Sequence, residues 1–516
     1  MPVFTYDEAL RVGLRDDARN ERNSQKLVTL DDLIATRFGL RQVPTVSHPV
    51  TSPTLSMSWP HPQIMNGEHN KLLMNKTTIH QMDPSNYATA TALTYDTTGN
   101  GDSAPATSSN PWELASFTEN VWFATNITNL AFNMPAIDTP ASKCFVINAS
   151  GAWSCNTLTN HHGRLVMGGV AAGGGGGALP TTLTDFFDEW KAMDHSEHVT
   201  IGENTALGKN CLVYSEMGGG ARDVPFFAFM SMFEYEGTPS AAVIGMIRSN
   251  IDQGLIGFYP LRSEGDIVRL LPLGNDLIAY TTSGVYSLRQ TEMGYIEQEV
   301  LNIGVRYSGH VGGSESEHLF ITQQNDVYRW RAGSGPEKLN YAEFIATMTA
   351  ANIVVCHDPD EGYFTIADGT KCFTRTLTGF AKTDCIIPSS LARLQNYTGL
   401  AGTPINEAGT VPASLTTDLF DGGFRNVHEI TYVNIATAES DTNDWAIEVG
   451  WRMNKQDAIT WTDPQDFDDR GKARVNVSGT EFQLRLTADD RTAVDLDRID
   501  VEFRDGGKRS LRQLIS

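Results

Sequence analysis

A chain of 516 residues is longer than one ordinary domain and has room for two to four units, each with a core of its own. Its 39 Lys and Arg against 62 Asp and Glu leave a formal net charge of −23, which argues against a general polyanion binder, since an acidic surface repels nucleic acid unless its basic residues are gathered on one face. No run of about 18 apolar residues occurs, so no membrane span is expected. The cysteines Cys144, Cys155, Cys211, Cys356, Cys372 and Cys385 form no C-x-x-C pair and read as buried thiols, with no metal and no cofactor assigned.

The opening stretch carries Asp7, Glu8, Arg11, Arg15, Asp16, Asp17 and Arg19, so it lacks the apolar core of a secretory signal, and synthesis in a cytosol is expected. Residues 1–110 read as an N-terminal extension with an irregular or inserted segment, because 86–110 is rich in Thr, Ser, Asn and Gly. Within it Asp96, Asn100, Gly101 and Asp102 place oxygen donors around a glycine, but the spacing and closing Glu of a calcium loop are missing.

Residues 111–401 read as a β-propeller of five to seven blades within an all-β chain. Short apolar runs alternate with turn residues, and the clearest hairpins share one register. Leu277-Ile278-Ala279-Tyr280 turns at Ser283-Gly284, Leu319-Phe320-Ile321-Thr322 at Asn325-Asp326, and Tyr363-Phe364-Thr365-Ile366 at Asp368-Gly369. With Cys144 to Ile147 before Gly151, and Met232 to Tyr235 before Gly237, the turns fall at 151, 237, 284, 326 and 369. The last steps approach 43 residues and the first is twice that, so one unit is disguised by an insertion. A Gly-rich and helical insertion near 171–198 supplies the disguise, with Leu183, Phe186, Phe187 and Trp190 at helical spacing. A hairpin alone is unstable in water, so units of this period share a core by ringing up. Val121 to Ala124 and Leu130 to Phe132, flanking Asn126 to Asn129, suit an early blade.

Residues 402–415 form a Pro- and Gly-containing linker, and 416–516 a C-terminal antiparallel β-sandwich. Phe482-Gln483-Leu484-Arg485-Leu486 alternates as a strand with one wet face does.

Catalytic signatures are scarce. Gly208-Lys209-Asn210 lacks the glycine spacing and hydroxyl of a phosphate loop and reads as a turn. Adjacent His161 and His162 point to opposite faces if they lie on a strand, so one is expected buried and the other exposed. No nucleophile elbow, zinc-protease motif or sialidase-type Asp box occurs, and no catalytic residue is assigned. The dense basic cluster Arg504, Lys508, Arg509 and Arg512 is a candidate inter-subunit docking site.

A family resemblance spans Trp112 to Arg512. Trp112-Glu113-Leu114-Ala115-Ser116-Phe117 with Val121 to Asn126, then His162 to Gly169, Leu212 to Glu216, Gly309-His310-Val311-Gly312-Gly313, Val327-Tyr328-Arg329-Trp330 and the stretch from Glu481 to Arg509 resemble the β-propeller tail nozzle, or tail-hub, proteins of short-tailed bacteriophages. The resemblance implies a non-enzymatic virion protein assembled in the host cytoplasm. It implies a homo-oligomeric ring, commonly hexameric, below the portal and adaptor, with tail fibre or needle proteins as further partners. Double-stranded DNA passes through such a lumen during ejection without specific binding. A host-glycan-binding or glycan-cleaving tail propeller is the alternative.

Overall fold

Among the described residues most strands come in successive antiparallel sets of four, and the fold is an all-β propeller joined to a sandwich. The computed structural model describes most of residues 257–382 and 413–505, with shorter runs between 3 and 214 and within 390–401. Blade 1 comprises Ser58–Met65, Glu68–Asn75, Ile79–Met82 and Ala90–Ala92; blade 2, Glu113–Ser116, Trp122–Thr125, Asn129–Asn133 and Lys143–Asn148. Blade 3 comprises Thr157–His161, Arg164–Gly168, Cys211–Tyr214 and Gly257–Pro260; blade 4, Ile267–Leu273, Asp276–Thr281, Val285–Thr291 and Gly294–Leu301. Blade 5 comprises Val311–Gly313, Glu317–Ile321, Val327–Arg331 and Glu337–Leu339; blade 6, Val354–Asp358, Tyr363–Ala367, Cys372–Arg375 and Phe380–Lys382. The hairpin of Ser390–Leu394 with Tyr397–Ala401 takes a seventh position.

Within each blade the strands are lettered a to d in chain order. The a strands pack side by side from blade 1 through blade 4 and from blade 5 to blade 6; blade 6 then meets the first strand of the seventh hairpin, which returns to blade 1. Arg269 bridges the step from blade 4 to blade 5, donating from Nη1 to the carbonyls of Ser308, at 3.0 Å, and Val311. Seven inner strands thus surround one axis, at the upper end of the expected range.

The sequence of a blade follows from being buried on both sides. In strand b of blade 4, Leu277 and Ala279 join the core shared with blade 3, while Ile278 and Tyr280 join the core shared with blade 5. The strand therefore reads as a continuous apolar run, and each large side chain buried this way contributes about 1.5–3 kcal/mol. Near the axis the backbones approach closely: a Cβ on Gly312 would stand 2.3 Å from the Val355 carbonyl oxygen of the neighbouring a strand.

The b–c turns of blades 4, 5 and 6 lie where the repeat placed them, between Thr281 and Val285, Ile321 and Val327, and Ala367 and Cys372. The turn at 151 does not belong to this series. Lys143–Asn148 is strand d of blade 2, and Trp153–Ser154 pairs with Ala171–Ala172; the b–c turn of that blade is Asn126 to Asn129. The disguised unit is blade 3, whose b–c connection runs from 169 to 210. The turn expected at 237 and residues 173–198 of the expected insertion lie outside the described residues.

The sandwich is built from distant parts of the chain. One sheet orders Val3–Tyr6, Arg498–Asp505, His428–Ala436 and Lys472–Gly479. The other orders Leu27–Asp31, Ala413–Thr417, Glu481–Ala488 and Trp445–Arg452, flanked by the short Thr460–Trp461 and Gln465–Asp466. Strand 481–488 alternates buried and half-buried as expected, and Tyr6, Phe420, Trp445, Phe482, Leu484, Val501 and Phe503 share the core. Phe420 ties the parts together, stacking on Phe4 at 5.3 Å and meeting the Tyr6 ring edge-on at 5.5 Å.

Two expected boundaries move. Residues 1–110 are not an appendage: they supply a strand to each sandwich sheet, the whole of blade 1, and the hairpin Leu33–Thr36 with Gly39–Gln42, where Arg41 pairs with Asp495 at 2.8 Å. The expected linker ends early, because Ala413 to Leu415 already belong to a sandwich strand, while 402–412 lie outside the described residues. Strand Leu27–Asp31 also pairs in parallel with strand d of blade 6, where Asp31 meets Lys382 at 3.1 Å. Blade 6 and one sandwich sheet are therefore a single continuous sheet.

Candidate functional site: a polar belt around the propeller axis

Charged residues are rare on the a strands, and two of them meet. Glu113 in blade 2 and Arg269 in blade 4 each interrupt an apolar run, and their side chains come together across blade 3, with Arg269 Nε 3.6 Å from Glu113 Oε1. Thr157 of blade 3 sits between them. Its hydroxyl donates to Glu113 Oε2 at 2.5 Å and accepts from the Leu270 backbone N–H at 3.0 Å. Asn156 adds a donation from Nδ2 to the Ile267 carbonyl at 2.8 Å. With the Arg269 bonds to Ser308 and Val311, one network spans blades 2 to 5.

Burial is the main influence on Glu113, which is 8% exposed, and pushes its carboxyl up from the ordinary value. Arg269, the Thr157 hydroxyl and the Leu158 backbone pull it back down. Both carboxylate oxygens are engaged, so the belt is suited to locking blades together and poorly suited to delivering or accepting a proton. The signal was present in Trp112-Glu113-Leu114 and Ile267-Val268-Arg269-Leu270, since a lone charge inside a buried strand demands a partner.

A second recurring device closes strand b of blades 2, 4 and 6. Asn126, Thr281 and Asp368 each donate their backbone N–H to the carbonyl three residues on and accept that residue's N–H on the side chain, Asn126 Oδ1 from Asn129 N at 2.8 Å. Thr281 Oγ1 accepts from Ser283 and Gly284 backbone N–H groups, at 3.2 and 2.9 Å, and Asp368 Oδ1 does the same for Thr370 and Lys371, at 2.8 and 2.7 Å. Asp368 Oδ2 also accepts from Thr349 N at 2.7 Å, tying the turn to the linker that enters blade 6.

His161 is buried and His162 exposed, as expected, but not by strand alternation: His162 lies in the a–b turn with φ 51°, which brings the rings to 4.2 Å. Burial, aided by His162, lowers His161 to about 4. His318, fully buried, is lowered to about 3 mainly by burial; one ring nitrogen is 2.9 Å from the Tyr280 hydroxyl and the other 3.0 Å from the Pro272 carbonyl.

Of the expected docking cluster, Arg504 is exposed at the end of strand 498–505, in register with Glu429; Lys508, Arg509 and Arg512 lie outside the described residues, as do Asp96, Asn100, Gly101 and Asp102. Lys209 and Asn210 form a turn, with Asn210 Nδ2 donating to the Leu261 and Ser263 carbonyls, both at 3.1 Å. Among the described residues no group of three or more His, Cys, Asp or Glu could hold a metal ion, and no helix is long and apolar enough to cross a membrane. Two sandwich aromatics are capped by cations: Lys472 Nζ lies 3.9 Å from the Tyr432 ring centre, and the Arg485 guanidinium 4.1 Å from that of Trp461.

No protein-family model and no curated protein sequence matches the chain. Among solved structures it is similar to BamB from Moraxella catarrhalis, at 10% identity over 77% of this chain and 94% of that one, with a TM-score of 0.31. It is similar to the WD40 domain of Pan2 from Neurospora crassa, at 8% identity over 73% and 94%, with a TM-score of 0.34. It is also similar to PorZ, a surface component of the type-IX secretion system of Porphyromonas gingivalis, at 10% identity over 93% of this chain and 53% of that one, with a TM-score of 0.35.

Proposed function

We propose that the chain is a structural subunit of a bacteriophage tail, one copy of a ring below the portal and adaptor through which viral DNA leaves. The observation that carries this reading is mechanical. Blade 6 and a sandwich sheet are one continuous hydrogen-bonded sheet, so load on the sandwich passes directly into the propeller. The belt from Glu113 to Val311 then ties four inner strands to one another. A subunit whose two parts share a sheet at that junction suits a conduit under mechanical stress.

Charge supports the same reading. Each phosphate contact on DNA adds affinity and slows sliding, so a conduit is served by acidic walls. Six copies at −23 each would carry −138, of which only lumen-facing carboxylates act, because screening limits their reach to roughly 8 Å at physiological salt. The alternative, a glycan-binding or glycan-cleaving tail propeller, calls for bare aromatic platforms or a free carboxylate pair. Among the described residues Tyr432 and Trp461 are capped while Tyr307 is 40% exposed, and Glu113 is already engaged.

Native mass spectrometry of the purified protein, alone and with the virion's adaptor protein, tests the proposal. A closed homo-oligomer that binds the adaptor is the expected result. A stable monomer that hydrolyses host polysaccharide overturns it.

A further inference from the structure

Blades 5 and 6 face each other across an apolar core, with Leu319, Ile321 and Val327 on one side and Phe364, Ile366 and Phe373 on the other. At the end of this interface nearest the a–b and c–d turns, charge replaces it. Glu317 opens strand b of blade 5, Arg329 and Arg331 lie on the adjoining strand c, and Arg375 closes strand c of blade 6.

Glu317 is fully used by blade 5. Arg329 holds both of its oxygens through Nε and Nη2, the latter at 3.1 Å, and Arg331 Nε stands 3.5 Å from Oε2. Arg375 gains no such partner among the described residues. It is 8% exposed; its Nη1 donates to the Gly379 carbonyl at 3.1 Å, and its Nε is buried without an acceptor. Burial weighs most against its charge; Tyr341 favours it, Arg329 adds repulsion, and Glu317 and Glu337 attract it only from beyond ion-pair distance. An unpaired buried guanidinium is costly, and here it occurs in a chain with a net charge of −23.

The unfilled edge has a definite shape. Nε and Nη2 lie side by side and point the same way, and this is the edge with which Arg329 grips the Glu317 carboxylate. Arg375 carries the same edge, with Nη1 committed to the Gly379 carbonyl and Nε buried without an acceptor among the described residues. We infer that Arg375, facing Arg329 across the interface, forms a binding site for a small oxyanion, a carboxylate or a phosphate, at the turn end of the blade 5–6 interface. The Gly379 carbonyl fixes the guanidinium plane.

Isothermal titration of the full-length protein tests this, with inorganic phosphate in one arm and acetate in the other, against chloride at constant ionic strength. Saturable binding of either anion is expected, and the arm that saturates identifies the chemistry. Arg375→Gln is expected to weaken it at least about tenfold, the loss of one charge-assisted contact, whereas Arg262→Gln, at a side chain 87% exposed elsewhere, leaves it unchanged. If Arg375→Gln does not fold, Arg375→Lys carries the comparison, since it keeps the charge and loses the two-pronged edge. No saturation in wild type through the millimolar range overturns the inference. So does saturation that survives unchanged in a folded Arg375 variant.

Discussion

Replacing Arg269 by Met keeps most of the side-chain volume and removes the charge that compensates Glu113. Glu113 is 8% exposed and the Arg269 side chain 20%, so solvent cannot substitute for the lost partner. Breaking a buried pair by removing one member costs about 3–5 kcal/mol, and here the Ser308 and Val311 carbonyls lose their donor as well. The loss depends on pH in a definite direction. The Glu113 carboxyl is already raised above its ordinary value of 4.5 by burial, and it rises further without Arg269. A carboxyl raised on folding contributes stability below its unfolded value and loses that contribution as pH climbs through the folded value. Arg269→Met is therefore mildest near pH 4.5 and most damaging above neutrality. Guanidinium unfolding midpoints, followed by tryptophan fluorescence at pH 5 and pH 8, measure this. Glu113→Gln supplies the control, since the amide can still accept from Thr157 and needs no countercharge. Arg269→Met should cost less in that background, by at least about 1 kcal/mol of coupling. A penalty equal at both pH values and unchanged by Glu113→Gln would refute the reasoning.

Three further outcomes are expected. Tyr6→Ala, at a side chain 0% exposed between the two sandwich sheets, should cost about 3–5 kcal/mol and open residues 413–505 to limited proteolysis while blade 4, whose cores are separate, stays protected. Gly312→Ala should sharply reduce soluble yield, because its Cβ would stand 2.3 Å from a backbone oxygen that cannot move aside, whereas Gly335→Ala, with nothing within 4 Å, should be silent in the same expression assay. His318 is held near 3 when folded, below its ordinary value of 6.5, so the unfolded chain takes up a proton first as pH falls. Stability is then lost from about pH 6.5 downward at up to about 1.4 kcal/mol per pH unit, and His318→Asn should flatten that part of a denaturant-midpoint profile.

Local patterns were legible and distant pairings were not. The hairpins at 284, 326 and 369 announced themselves because strand and turn lie within a dozen residues, and the alternation through Phe482 and Leu486 gave a sandwich strand directly. Blade 3 was hidden because 169–210 separates its b and c strands, so no local period survives. Val3–Tyr6 carried no visible cue, since its partner is strand 498–505. The belt could have been suspected from Glu113 and Arg269 as lone charges in apolar runs, but nothing in their spacing says that they meet. The segments that resembled phage tail proteins prove to be blade and sandwich strands, whose patterns report packing more directly than role.

The pairing of Val3 with Glu502 also sets a clock on biosynthesis. At roughly 5–20 residues per second, a ribosome finishes residue 502 about half a minute to two minutes after residue 3. Blades can collapse one by one as they emerge, yet the first strand must wait for its mate, with Phe4 and Tyr6 exposed in the interval. The finished sandwich thus certifies that translation has passed strand 498–505, and a product released before it would keep an open sheet edge for chaperones and proteases to recognise.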